Sequence, residues 1–129
     1  MPMREIVWIA AGGCVGAVLR YLVSGKVQDI SGSIDFPWGT LVVNLLGCLV
    51  IGVLTYLAEA RSLLSPEARM FLLVGILGSF TTFSTFANES LSLIRSGQVS
   101  MALVYVGAHG VLGILCVLIG YAGSQTVWR

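Results

Sequence analysis

The sequence predicts an all-α integral membrane protein of four transmembrane helices, the third of them broken mid-membrane. Three observations predict it. The 129 residues are 57% apolar and only 10% charged, with a mean hydropathy of +0.94. A soluble domain runs about 45–50% apolar and about 25% charged, so this chain has too few charges to coat a water-facing surface. The charges that exist separate four long apolar runs, and the third run is interrupted by glycine and hydroxyl residues that form helix poorly. Seven Lys+Arg against six Asp+Glu leave a net charge of +1, which excludes a basic nucleic-acid surface. The apolar content excludes disorder.

A helix rising about 1.5 Å per residue needs about 20 residues to cross the hydrocarbon core. Residues 39–58, 70–88 and 96–128 hold no charged side chain, and only Arg20 interrupts the run between Glu5 and Lys26. The predicted helices are therefore 4–24, 39–60, 69–95 and 99–123, a single four-helix domain over residues 1–129. Pro37 and Pro66 stand just ahead of helices two and three, where proline is tolerated. Arg4 before an apolar run resembles a secretory signal, but no convincing cleavage site follows, so the segment is read as a retained helix. No residues are left over for a soluble nucleotide-binding or catalytic domain.

Lys and Arg in the short loops set orientation. Arg4, Arg61, Arg69 and Arg129 fall on one side, Lys26 and Arg95 on the other, joined by Arg20 if it snorkels. So weak a bias permits insertion both ways, and with it an antiparallel homodimer. Cys14, Cys48 and Cys116 lie inside spans without disulfide or metal spacing and are read as small packing residues.

Small and polar residues follow a pattern. Gly12 and Gly16 form a GxxxG pair, and Gly107, Gly110 and Gly113 recur in the last span; such residues let helix backbones approach in lipid. Thr40, Asn44 and Gly47 share one face of helix two. A buried amide must be paired, so Asn44 either bonds a neighbouring helix or offers N–H donors to something passing through. Helix three reads Gly75-Ile-Leu-Gly78-Ser79-Phe80-Thr81-Thr82-Phe83-Ser84-Thr85-Phe86. Its glycine pair and hydroxyls predict an unwound turn around Gly78–Thr82, against the alternative of a kinked helix with back-bonded hydroxyls. Irregular backbone at that depth persists only when buried in protein or lining a wet cavity, and its freed carbonyls suit a cation such as Na⁺. Phe80, Phe83 and Phe86 recur at three-residue spacing, one rough helical face, and the positive edges of their rings suit an anion route without a fixed charge.

Arg20 and Glu89 are the candidate intramembrane charges, each functional by default or else snorkelling to the interface. Glu89 is placed near the end of helix three. His109, four residues after Tyr105, has no evident titratable partner at its depth, and the residues alone favour a hydrogen-bonded packing role. No paired-carboxylate site, nucleophile triad, phosphate loop or HExxH motif is present, so an enzyme is not expected.

Three strings bring a family into view: Gly12-Gly13-x-x-Gly16-Ala17-x-x-Arg20-Tyr21, Gly39-Thr40-Leu41-x-Val43-Asn44-x-x-Gly47, and Gly78-x-Phe80-Thr81-Thr82-Phe83-Ser84-Thr85-Phe86. They closely resemble the Fluc (CrcB-type) fluoride channel family, over all four spans in order. The resemblance implies a dual-topology antiparallel homodimer in the bacterial inner membrane, with two fluoride pores and a central structural Na⁺. It implies that backbone carbonyls of Gly78 and Thr81 from each subunit hold that Na⁺. It further implies pore roles for Asn44, Phe83, Phe86 and Tyr105, a vestibule role for Arg20, and places for Thr40, Ser84 and Thr85 on the pathway. Two positions depart from the family pattern. Members often carry hydroxyls one and two turns beyond the tyrosine, where this chain has His109 and Gly113; an imidazole there would substitute as a donor or alter the pH response. Ser79 replaces the second glycine of the usual Gly-Gly pair but keeps its carbonyl.

The function expected is passive export of cytoplasmic fluoride. The alternative of a small dual-topology proton-coupled multidrug exporter wants a carboxylate deep in a span, and Glu5 and Glu89 read as peripheral. A non-transporting scaffold would leave Asn44 and the hydroxyl/phenyl string without a purpose.

Overall fold

The structure is a computed structural model and describes residues 3–128. The described residues are helical apart from short connections. α1 spans Met3–Ser31, α2 Trp38–Ala60, α3 residues 66–80, α4 Phe83–Arg95 and α5 Val99–Val127. α3 and α4 together form one rod, Pro66–Arg95, and all four rods are long and apolar enough to cross a membrane. The last turn of α2, Tyr56–Ala60, and residues Met70–Leu77 of α3 are wound in the wider π register.

Helices end where capping ends them, and hydropathy alone marks only where the bilayer stops. α1 runs on to Ser31, past the expected limit at residue 24, because Lys26 and Asp29 leave the hydrocarbon without leaving the helix. Gly32 stops it with φ +61°, which only glycine adopts cheaply. Gln28 then orders the following loop: its Nε2 donates to Ser33 O at 2.6 Å and Phe36 O at 3.2 Å, and its Oε1 accepts from Gly39 N–H at 3.1 Å. α5 likewise continues to Val127, beyond the expected 123, through a polar end that no glycine or proline breaks. Ser65 caps α3, its hydroxyl accepting from Ala68 N–H at 3.2 Å, and Pro66 takes the first turn. At the other end of that rod Gly97, at φ +80°, closes a Schellman turn: its N–H donates to Ile94 O and Gln98 N–H donates to Leu93 O. Arg129, counted above for orientation, lies outside the described residues.

α1 packs on α3, α2 on α5, and α1 and α2 also meet. Glycine makes the first two crossings close. A Cβ on Gly12 would sit 2.9 Å from the Gly75 Cα, and one on Gly16 would strike Ile76 O and the Ser79 hydroxyl. At the α2–α5 crossing, Gly52 faces Val117 O and Gly120 faces Leu49 O, a reciprocal pair. The GxxxG reading of α1 thus has a partner surface. Gly107 and Gly110 do not: nothing lies within 4 Å of a Cβ there, so these two glycines leave open surface on α5 rather than an internal contact. The outward faces of α1 and α5 expose Val18, Leu103, Val111, Ile114 and Leu118, an apolar surface suited to lipid or to another transmembrane helix.

Candidate functional site

Between α3 and α4 the helical ladder is interrupted. Thr81 (φ −79°, ψ 157°) and Thr82 (φ −150°, ψ 109°) are extended. Gly78, Ser79 and Phe80 remain helical, so the irregular stretch is narrower than the five residues expected; Thr81 N–H still reaches Leu77 O at 3.1 Å. What replaces the missing ladder is a side chain from α2. Thr82 N–H donates to Asn44 Oδ1 at 2.8 Å, and Asn44 Nδ2 donates to Thr82 O at 3.2 Å. Thr82 also caps α4, its Oγ1 accepting from Thr85 N–H at 3.2 Å and donating to Thr85 Oγ1 at 2.9 Å. The carbonyls of Gly78, Ser79, Phe80 and Thr81 thereby lose their helical donors, and two of those donors have new partners. Thr82 N–H, which a continuous helix would give to Gly78 O, goes to Asn44; Thr85 N–H, which would go to Thr81 O, goes to Thr82.

A cavity of about 570 Å³ opens beside this interruption. Asn44, Thr82, Phe83, Phe86 and His109 line it, with Gly78 and Thr81 on its wall, and among the described residues no Asp, Glu, Lys or Arg does. The rings are grouped: Phe83 to Phe86 at 5.4 Å between centroids, Phe86 to His109 at 4.3 Å, His109 to Tyr105 at 4.5 Å. Phe83 is 78% exposed. His109 Nδ1 is 3.0 Å from Tyr105 O, while Nε2 is buried and has no partner among the described residues.

Next to the cavity runs a chain of hydrogen bonds. Thr40 Oγ1 donates to Glu89 Oε1 at 2.9 Å, and Tyr105 Oη donates to Glu89 Oε2 at 2.6 Å. Tyr105 is fully buried, its ring edge-on to Phe36 and tilted against Phe86. On the far side of Thr40 and Glu89 lies a smaller recess of about 320 Å³ with Ser24, Gln28 and Asp35.

Residues 7–121 match the family described as "CrcB-like protein, Camphor Resistance (CrcB)". The chain belongs to that family. Among its relatives, a protein from Maridesulfovibrio salexigens named "Fluoride-specific ion channel FluC" is 46% identical over 125 residues, covering 97% of this chain and 98% of its own. Proteins of the same name from Nitrosococcus oceani and Magnetococcus marinus are 42% and 48% identical, covering 96% and 92% of this chain and 98% and 94% of their own.

Within this CrcB-like fold the residues singled out from sequence fall into groups. Asn44, Phe83, Phe86 and His109 face one cavity, with Gly78 and Thr81. Thr40 and Tyr105 meet at Glu89 instead. Ser84 and Thr85 do not line the cavity; their hydroxyls turn to Thr82, at 3.4 and 2.9 Å. Arg20 sits half-buried on α1 and does not line this cavity. The expected three-phenylalanine stripe is split: the extended threonines leave Phe80 on α3, its ring near Gly47, while Phe83 and Phe86 stay paired on α4. Glu89, read as peripheral, is the acceptor that joins α2 and α5 through Thr40 and Tyr105. Its signal was a carboxylate in register with hydroxyls, four residues after Thr85. Ser79 fits its close crossing because its hydroxyl, with a single hydrogen to give, lies 2.7 Å from Gly75 O on its own helix and 3.0 Å from Gly13 O across the crossing.

Proposed function

We propose that this chain is a fluoride-selective channel, letting cytoplasmic fluoride leave passively across the bacterial inner membrane. The observation that carries the reading is the uncharged cavity beside the α3–α4 interruption, with an amide, phenyl rings and an imidazole on its walls. Fluoride is small and strongly hydrated, so a pathway must replace its water with donors yet release it. Asn44 spends one amide hydrogen on Thr82 O and keeps the second. The edges of Phe83 and Phe86 are positive without being charged. A fixed Lys or Arg at the constriction would hold the ion instead. A negative-inside potential drives the anion outward by about 2.3 kcal/mol per 100 mV.

The working unit of this proposal is an antiparallel homodimer with two pores and a central Na⁺. The weak Lys/Arg bias supports dual topology, and the exposed Phe83 supports a pore wall completed by a second copy. For Na⁺ the donor set fits: a hard cation takes oxygen ligands, and Gly78 O and Thr81 O are among the four carbonyls that the interruption leaves without helical donors. Bound there by carbonyls of two subunits, Na⁺ would offset their dipoles and join the copies.

The test is efflux from liposomes loaded with potassium fluoride or potassium chloride, with valinomycin carrying the counter-charge. Rapid fluoride release with little chloride release is expected. Silence with both ions from folded dimers overturns the reading.

A further inference from the structure

His109 brings to the cavity wall an imidazole whose free nitrogen is the wrong atom for an anion. Its Nδ1 lies 3.0 Å from Tyr105 O, and a carbonyl oxygen only accepts, so Nδ1 carries the hydrogen. In a neutral imidazole the other nitrogen is then a bare lone pair. That atom, Nε2, is buried and unpartnered among the described residues, in a side chain that lines the cavity. The hydroxyls nearby cannot compensate: Thr81 Oγ1 donates to Leu77 O and Thr82 Oγ1 to Thr85 Oγ1. A neutral His109 therefore repels an anion at its depth, between Phe86 at 4.3 Å and Tyr105 at 4.5 Å.

We infer that His109 makes fluoride passage proton-linked: as the ion arrives the ring takes up a proton at Nε2, becoming the N–H donor that the neutral tautomer lacks. The inference rests on the channel reading above. The proton comes from bulk water and forms an N–H bond on Nε2. Imidazole, proton and fluoride become an imidazolium–fluoride pair, and the proton stays on the ring while the ion moves on, so the current is carried by fluoride. The groups facing the ring are few. On its own helix there is Tyr105, from α4 Glu89, held behind the Tyr105 hydroxyl, and from α2 Cys48 on the same cavity wall; α3 contributes only Leu73, Leu77 and Gly78. Glu89 would gain an O–H by binding a proton, but both its oxygens already accept from Thr40 and Tyr105; His109 is the group among them that lines the cavity and gains an N–H.

The experiment is fluoride conductance of the reconstituted full chain at sub-saturating fluoride, at equal pH on both sides, with protein-free membranes subtracted for HF leak. Between about pH 5.5 and about pH 8 conductance is expected to fall at least about fivefold, within the roughly tenfold per pH unit that one linked proton permits. His109→Ser, restoring a hydroxyl, is expected to conduct with a flat profile. A flat wild-type profile, or an equal slope in the variant, overturns the inference and leaves the channel reading standing; no conductance at any pH overturns both. Because His109 is the sole histidine, ¹⁵N-histidine NMR of the wild type decides the matter even if the variant does not fold. A bare Nε2 without fluoride that gains a proton when fluoride is added supports the inference. An Nε2–H tautomer from the start, or no change with fluoride, sinks it.

Discussion

Asn44 pairs with both backbone groups of Thr82, accepting from its N–H at 2.8 Å and donating to its carbonyl at 3.2 Å. One side chain from α2 thus stands in for a peptide unit across the interruption between α3 and α4. The amide sits in a Leu-Val-Val and Leu-Leu run, 9% exposed, where an unpaired polar group is costly. The two readings open at the sequence level, helix pairing and ion contact, are therefore compatible. The same amide fixes the break and keeps one hydrogen to offer.

Asn44→Leu removes both bonds and leaves Thr82 N–H without a partner, while Thr82 O keeps the first intrahelical bond of α4 as its N-cap carbonyl. We expect a loss of about 1–2 kcal/mol, the range of interhelical hydrogen bonds in membranes, read as a lower melting temperature in detergent. Fluoride efflux should fall with it. A variant as stable as the wild type would show that Thr82 finds other partners.

Glu89 accepts from Thr40 and Tyr105 at once, so the three should act as one unit. Tyr105→Phe and Glu89→Gln are each expected to lower efflux, and the double variant to be little worse than the poorer single one. A double-mutant cycle measures this. Additive losses would mean that the tyrosine and the carboxylate serve the pathway separately.

Much of this was legible in the chain, and for a definite reason. Charge gaps located all four rods because the bilayer tolerates so few charges. The weakness of helix three was legible because Gly78, Ser79, Thr81 and Thr82 lower helix propensity together. Asn44 and the phenylalanines stood out as polar or aromatic intrusions in aliphatic runs. Partnerships were not legible. Nothing local ties Asn44 to Thr82 or Glu89 to Thr40, because those pairs are made by packing α2 against α4, 38 and 49 residues apart. Helix ends were missed at Ser31 and Val127 because hydropathy reports the hydrocarbon boundary, whereas glycine turns and caps stop the backbone.

The glycines sort by what faces them. Gly120→Ala would drive a Cβ into Leu49 O, and backbone at the α2–α5 crossing cannot step aside as a flexible side chain can. Gly123→Ala meets nothing within 4 Å and gains helix propensity, by roughly 0.8–1 kcal/mol at most. Thermal melts in detergent should show Gly120→Ala strongly destabilised and Gly123→Ala equal to or above the wild type. Equal stability of both would mean that α2 and α5 separate readily at that crossing.

Phe83 and Phe86 make the last comparison, because they share a chemistry and differ in packing. Phe86 stacks on Tyr105 at 5.5 Å and His109 at 4.3 Å; Phe83 is mostly exposed and touches the aromatic group only through Phe86. Isoleucine keeps the bulk and removes the positive ring edge. Phe86→Ile should therefore cost about 1 kcal/mol of stability from lost aromatic pairing as well as efflux. Phe83→Ile should leave the isolated protomer's packing within about 0.5 kcal/mol and still reduce fluoride efflux. Melts and liposome flux on the same preparations separate the two effects. A Phe83 variant that conducts normally would confine the ring-edge role to Phe86. Normal flux in both would remove the rings from the pathway and leave the Asn44 amide and His109 as its donors.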